Sequence, residues 1–302
     1  MAAPPETSLA CSCGGTGYVV EQVLGKSARA RRCVCQRVCT RCNGSGYALV
    51  AAGDTSKAQV CSCGHLDERI RLFNEVGIPT AVATASFESF REYSPDHARA
   101  RTVTQDFARK FRPDVAARGF LLYGRPGAGK THLLVATLRY LALEKGIPGK
   151  YVEFMLLLSD IRAGFNANRS HMEILRPLLS VPVLAIDELG KERGTEWERA
   201  MLDELVSRRF NSGLATLFAT NYFLEERENP VRESPGARVN TKSSAFGADA
   251  ESMTLSRRVG DRIFSRLNEM CSFVKLDPNQ DQRKLRAEAL DTGSQAGGLW
   301  RK

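Results

Sequence analysis

Gly119-Phe-Leu-Leu-Tyr123, followed at once by Gly124-Arg-Pro-Gly-Ala-Gly-Lys130-Thr131, decides the fold. An apolar run of strand length enters a glycine-rich turn, and a helical pattern from His132 to Lys145 begins where the turn ends. Such a loop, between strand and helix, wraps a phosphate. Its glycines let successive backbone amides turn inward on a β-phosphate, and the helix N-terminus adds partial positive charge. Gly124, Arg125, Pro126, Gly127, Ala128 and Gly129 are expected to line the phosphates. Lys130 should reach the β- and γ-phosphates and Thr131 should hold magnesium. The stretch predicts an α/β P-loop fold that uses ATP and Mg2+.

Two further strands carry what hydrolysis needs. Val181-Pro-Val-Leu-Ala-Ile186 runs into Asp187-Glu188. Carboxylates at the end of a buried apolar strand are costly unless they have a task. Asp187 is expected to hold magnesium, directly or through water, and Glu188 to orient and polarise the attacking water. Ala215-Thr-Leu-Phe-Ala219 leads to Thr220-Asn221, where Asn221 can hydrogen-bond the γ-phosphate or the lytic water.

Upstream, eight of the nine cysteines lie between Cys11 and Cys63, and the segment repeats. Cys13-Gly-Gly-Thr-Gly-Tyr-Val-Val precedes Cys33-Val-Cys35, and Cys42-Asn-Gly-Ser-Gly-Tyr-Ala-Leu precedes Cys61-Ser-Cys63. Each unit reads as a cysteine knuckle, a glycine turn, a strand starting at Tyr18 or Tyr47, and a second knuckle. Paired soft ligands suit tetrahedral, closed zinc sites. Disulfides are disfavoured in a reducing compartment. Two zinc ions are expected, one on Cys11, Cys13, Cys33 and Cys35 and one on Cys39, Cys42, Cys61 and Cys63. Interleaved ligation is the rival, because Cys39-Thr-Arg-Cys42-Asn-Gly-Ser-Gly resembles the cysteine-rich domain of DnaJ chaperones. His65 is expected at the surface and Cys271 in the core.

The chain has 302 residues, 43% of them hydrophobic and 25% charged, which argues against disorder throughout and suggests two domains. No apolar run is long enough for a membrane span, and the N-terminus lacks the basic start and apolar core of a signal peptide. The expected address is the cytoplasm. A formal charge of +9 suits an acidic partner such as nucleic acid. Each tetrathiolate zinc carries two net negative charges, so the basic excess is modest.

Gly77-Ile-Pro79, the phosphate loop, Leu184-Ala-Ile-Asp-Glu-Leu-Gly190, a helix over Trp197–Asn211 with Arg208-Arg209-Phe210, and Ala219-Thr-Asn221 resemble the AAA+ ATPases of the DnaC/DnaI helicase-loader and IstB transposition-helper group. The likeness runs from Asn74 to Asp277. It implies a five-stranded parallel sheet between helices with little or no helical lid. It also implies ATP hydrolysis, homo-oligomers with sites between subunits, and single-stranded DNA or a replicative helicase as partner. Some such loaders carry an N-terminal zinc region that docks on the helicase; the double repeat here departs from a single unit. In this group a late arginine completes a neighbour's site. Gly260-Asp-Arg262-Ile-Phe-Ser-Arg266-Leu, ahead of a strand at Ser272–Leu276, matches that segment, with Arg266 favoured as the finger and Arg262 the alternative. Without such a role, both would be solvated or paired with Asp261 and Glu269. Arg283 is a candidate second phosphate-sensing arginine.

The expected organisation is then residues 1–66 as tandem zinc-binding repeats, 67–113 as a helical linker and the start of the ATPase module, 114–283 as the AAA+ core with a flexible insertion at about 225–252, and 284–302 as an exposed tail. Phe87 and Phe90 either cover adenine with Ile78 or belong to the core. The leading functional expectation is a loader or remodeller of a replicative helicase in DNA replication. The alternatives are a transposition helper of the IstB type and a zinc-dependent adaptor using ATP only as a switch.

Overall fold

The computed structural model describes residues 13–25, 27–34, 42, 47–52, 55–191, 194–224 and 254–276. Cys11, Cys35, Cys39, the insertion at 225–252, Arg283 and the tail 284–302 lie outside them.

Two small antiparallel hairpins come first. Strands β1 (Tyr18–Glu21) and β2 (Arg29–Arg32) pair with Tyr18 opposite Arg32, and β3 (Tyr47–Ala52) and β4 (Thr55–Val60) pair with Tyr47 opposite Val60. Each hairpin therefore opens with its repeat's tyrosine and closes one residue before a cysteine, Cys33 or Cys61. Cys13, Cys33, Cys42 and Cys61 are all buried. Helix α1 (Ser62–Val76) begins directly after Cys61, with Cys63 in its first turn.

The nucleotide fold follows: α2 (Pro95–Lys110), β5 (Gly119–Tyr123), α3 (Lys130–Leu143), β6 (Gly149–Glu153), α4 (Phe154–Asn166), α5 (His171–Ser180), β7 (Val183–Asp187), α6 (Glu196–Asn211), β8 (Ala215–Thr220), α7 (Leu255–Val259), α8 (Asp261–Met270) and β9 (Cys271–Lys275). The five strands β5 to β9 form one sheet in the order β6-β7-β8-β5-β9, every pair parallel, as expected. The three inner strands are buried along their whole length, which is why they read as continuous apolar runs rather than alternating ones.

Alternate residues divide between two cores. Phe120, Leu122, Val183, Ala185, Leu217 and Ala219 face α1, α2 and α3. Leu121, Tyr123, Leu184, Ile186 and Phe218 face α4, α5, α6 and α8. Gly119 is required where β5 meets β8: a Cβ there would stand 1.9 Å from the Thr216 carbonyl oxygen. Cys271 is buried, as expected, and burial pushes its thiol pKa up. His65 is exposed.

Cations close the ends of several helices, where unpaired carbonyls and the helix dipole favour positive charge. Arg69 donates to the Leu143 carbonyl at the end of α3 (3.1 Å), Lys150 to Glu75 at the end of α1 (2.6 Å) and Lys145 to Arg109 and Phe111 at the end of α2 (2.9 and 2.5 Å). Arg209, fully buried, ties the far end of the sheet together through the Leu178, Val181 and Ala215 carbonyls and the Thr216 hydroxyl. Its acceptors are all neutral, and burial lowers its pKa to about 10.

The first hairpin is built into this body. Tyr18, Ala28 and Ala30 belong to the core shared with α1 and α3. The Tyr18 hydroxyl donates to Glu144 at the end of α3 (2.7 Å), and burial, with that carboxylate, raises its pKa to about 12. The Asn74 side chain accepts from Ala30 N–H (2.7 Å) and donates to the Ala30 carbonyl (3.1 Å), so it pairs with β2 as a neighbouring strand would. The second hairpin has its own small cluster of Cys42, Ala48 and Cys61, and its Tyr47 is exposed. Among the described residues no helix is long and apolar enough to cross a membrane.

Candidate active site

Gly124 and Asn221 follow the carboxyl ends of β5 and β8, and Asp187 ends β7, at the edge where open α/β sheets bind ligands. One pocket of about 190 Å³ gathers Pro126, Gly127, Gly129, Lys130, Thr131, Asp187, Glu188, Thr220 and Asn221, with Val82, Phe90, Arg91 and His132 at its other wall. Segments far apart in sequence thus converge, and Phe90, buried as a core residue would be, also lines the pocket. Phe87 and Ile78 lie in the core.

The loop owes its curvature to glycine. Gly129, the N-cap of α3, has φ +92°, a left-handed value, and a Cβ on it would meet the Phe90 ring at 2.8 Å. Lys130 is buried, and its ammonium donates to the Gly124 and Arg125 carbonyls (2.7 and 2.8 Å), which keeps it over the loop. His132, next to Thr131, reaches the Ser86 carbonyl with Nε2 (2.8 Å) and lies 5.3 Å from the Phe90 ring.

Asp187 is held on both oxygens. Oδ2 accepts from the Thr131 hydroxyl (2.7 Å) and from the Tyr151 hydroxyl of β6 (2.8 Å), and Oδ1 accepts from Glu188 N–H (2.8 Å). Tyr151 was not visible as a site residue in the sequence, because the contact depends on β6 lying beside β7 in parallel. Burial and the Asp187 charge both raise its pKa, so it stays a donor. Thr131 and Asp187 present hard oxygens together, the donor chemistry that suits Mg2+.

Glu188 has φ +56°, left-handed for a residue with a side chain, a conformation that costs about 1 kcal/mol. The turn is fixed from outside: Leu189 N–H donates to the Ala219 carbonyl (2.9 Å), and Thr220 Oγ1 donates to the Leu189 carbonyl (2.7 Å). The loops bearing Glu188 and Asn221 are therefore cross-linked. Lys191 Nζ lies 2.5 Å from Glu188 Oε2, and that contact raises the lysine pKa. Glu153, at the end of β6, hydrogen-bonds Glu188 from another side; burial first, then this carboxylate, raises its pKa above the usual range.

Arg262 and Arg266 share a face of α8, but their carboxylate partner is Asp203 of α6, rather than Asp261 or Glu269. The face packs toward α6, so a carboxylate across the interface is nearer than one on the same helix. Arg266 is 2.8 Å from Asp203 and 21% exposed; Arg262 is 3.6 Å away and 72% exposed. Neither is among the residues lining the pocket.

Among the described residues there is no cluster of His, Cys, Asp and Glu able to hold a metal ion. The expected zinc ligands are divided by that limit: Cys13, Cys33, Cys42 and Cys61 are described and buried, while Cys11, Cys35 and Cys39 are outside.

The model of a family described as IstB-like ATP binding protein matches residues 74–233. The chain is 30% identical over 181 residues to the replicative helicase loader DnaC of Escherichia coli (strain K12), covering 58% of this chain and 71% of that protein. It is 25% identical over 219 residues to the uncharacterized protein YqaM of Bacillus subtilis (strain 168), covering 69% and 68%. Among solved structures, that of the DnaC helicase loader aligns with TM-score 0.52 at 26% identity, over 65% of this chain and 98% of that one. That of DnaI aligns with TM-score 0.50 at 18% identity, a likeness of fold alone, over 70% and 100%.

Proposed function

Because the chain belongs to the IstB-like ATP-binding protein family, we propose that it is an AAA+ ATPase of DNA replication that loads or remodels a replicative helicase. The observation that carries this reading is the similarity to the helicase loader DnaC, which takes in 71% of that protein. Such a loader works in the cytoplasm, on single-stranded DNA as well as on the helicase, and a basic balance that stays positive after two zinc sites are counted suits the DNA.

The residues have divided roles. Gly124 to Gly129 wrap the phosphates with backbone amides, and Lys130 moves its ammonium from the loop carbonyls to the β- and γ-phosphates. Thr131 and Asp187 hold Mg2+, which when bound neutralises phosphate charge. Glu188 orients the attacking water, and Asn221 hydrogen-bonds the γ-phosphate or that water. Arg266 serves the site of the next subunit in a homo-oligomer, exchanging Asp203 for phosphate, with the more exposed Arg262 as the alternative.

The N-terminal repeats take two structural zinc ions. Support comes from the equivalent placement of buried cysteines at the open ends of both hairpins and, for the second hairpin, from its small cluster of Cys42, Ala48 and Cys61. A two-stranded ribbon is marginal alone, and tetrathiolate zinc contributes folding free energy directly. Cys11, Cys13, Cys33 and Cys35 make one ligand set and Cys39, Cys42, Cys61 and Cys63 the other, with interleaving as the alternative. On this reading 1–66 is the zinc region, 67–113 leads into the ATPase, and 114–283 is its core.

Capture from cell lysate with ATP and the Glu188→Gln chain, which should hold ATP without hydrolysing it, tests the function. Recovery of a replicative helicase supports the loader. Recovery of a transposase favours the transposition helper of the IstB type, whose name the matching family carries. ATP binding without measurable turnover in the unaltered chain would leave only an adaptor that uses ATP as a switch.

A further inference from the structure

His97 is wholly buried in the first turn of α2, next to the phosphate loop, and is not among the residues lining the pocket. Its Nδ1 lies 2.7 Å from Ser94 Oγ, and its ring packs on Phe90 at 5.8 Å and Tyr93 at 6.0 Å. It also hydrogen-bonds the backbone of Ala128 in the loop, and burial lowers its pKa, which keeps the imidazole neutral.

A neutral imidazole has one donor and one acceptor. Ser94 Oγ already accepts from His97 N–H (3.4 Å), so its hydroxyl hydrogen is available to Nδ1. With Nδ1 accepting, Nε2 carries the proton and donates it to the Ala128 carbonyl. In a trans peptide the carbonyl and the following N–H point in opposite directions. A carbonyl of Ala128 held outward toward α2 therefore aims Gly129 N–H inward, at the space the phosphates enter. Phe90, against which the His97 ring packs, also lies against Gly129, its ring 2.8 Å from where a Cβ would be.

We propose that His97 is a positioning residue for nucleotide binding: through the Ala128 carbonyl it orients the Gly129 amide toward the β-phosphate, and Ser94 selects the tautomer that does so. The proposal rests on the reading of Gly124 to Thr131 as the phosphate loop. Its signature is chemical. The amide serves a β-phosphate, so its misdirection should weaken ATP and ADP alike and leave a nucleotide without that phosphate untouched. A general loosening of the site would weaken all three.

The experiment is competition of ATP, ADP and AMP against a fluorescent ATP analogue on the full chain, with turnover measured at saturating ATP. His97→Leu should weaken ATP and ADP about tenfold, the scale of one well-aimed hydrogen bond to a charged group. AMP affinity and kcat should stay within about twofold. His97→Gln, whose amide can donate along the same direction, should recover most of the loss. Should His97→Leu fail to fold, Ser94→Ala carries the test with a smaller loss of the same selectivity. Equal weakening of all three nucleotides, or no loss of ATP and ADP, overturns the proposal. Lys130→Ala run alongside separates the two readings: if it too leaves ATP binding intact, the phosphate loop itself is misassigned.

Discussion

Deleting the Tyr151 hydroxyl asks whether Asp187 is a held ligand or only a carboxylate at a strand end. In Tyr151→Phe the ring keeps its packing, and one bond, the 2.8 Å hydroxyl contact to Oδ2, is lost. Oδ2 then keeps Thr131, yet that hydroxyl is the one that should turn to magnesium. A hydrogen bond to a buried charge contributes about 1.5–3 kcal/mol. Oδ1 retains its Glu188 amide, so the lower half of that range applies, about 2 kcal/mol. If all of it falls on the metal-bound state, magnesium affinity drops about 30-fold, inside the 10–100-fold span typical of lost ligand-orienting groups. The assay is a magnesium titration of labelled-ATP binding. Its midpoint should move up about 30-fold, with metal-free nucleotide binding changed less than about threefold. An unmoved midpoint together with a lowered melting temperature would mean that the Tyr151 hydroxyl only stabilises the fold, and the assignment of Asp187 would lose its support.

Four other outcomes are expected. Lys130→Ala should abolish measurable ATP binding, whereas Glu188→Gln keeps ATP bound and stops hydrolysis; equal loss of binding in both, by equilibrium titration, would remove Asp187-Glu188 from the site. Metal analysis should return about two zinc ions per chain, and joint Cys33→Ser and Cys35→Ser should remove one; loss of both favours interleaved ligation. Arg266→Ala and Glu188→Gln chains, each inactive alone, should regain partial ATPase when mixed, with Arg262→Ala as the control; no recovery in co-assembled chains argues against Arg266 acting across an interface. Glu153, whose folded pKa is raised, favours folding only while protonated, and that contribution fades as pH rises through the raised value. Glu153→Gln should therefore melt higher than the unaltered chain near neutrality and lose the advantage near pH ~4, as thermal melts at both conditions would reveal.

The central strands, the phosphate loop and the acidic strand end were legible because each is dictated locally. A fully buried parallel strand must be apolar throughout, and a phosphate cradle must be glycine-rich. The repeat was legible for the same reason, and the hairpins start at Tyr18 and Tyr47 as read. What escaped depends on which strands become neighbours. Nothing local announces that Tyr151 will lie beside Asp187, or that Thr220 will tie to Leu189. For Arg262 and Arg266 the only partners in view were Asp261 and Glu269 of their own helix, with solvent the other choice, because sequence spacing reveals only those. Asp203, far away in the chain, became available when α8 packed toward α6. The left-handed turn at Glu188 is likewise imposed by the next strand.

The boundary between repeat and engine has an evolutionary consequence. The family match starts at residue 74, inside α1, yet Leu66, Ile70, Leu72 and Phe73 of the same helix are buried with α3, and Asn74 itself is spent on pairing with β2. A recombination event that joined a new N-terminal module at the match boundary would strip that helix face and expose the back of the phosphate-loop helix to water. The first hairpin has therefore become part of the engine's inheritance and must change in concert with it. Among the described residues the second hairpin is held instead by its own small cluster of Cys42, Ala48 and Cys61, so a graft that redirects the motor is better placed there than at the match boundary.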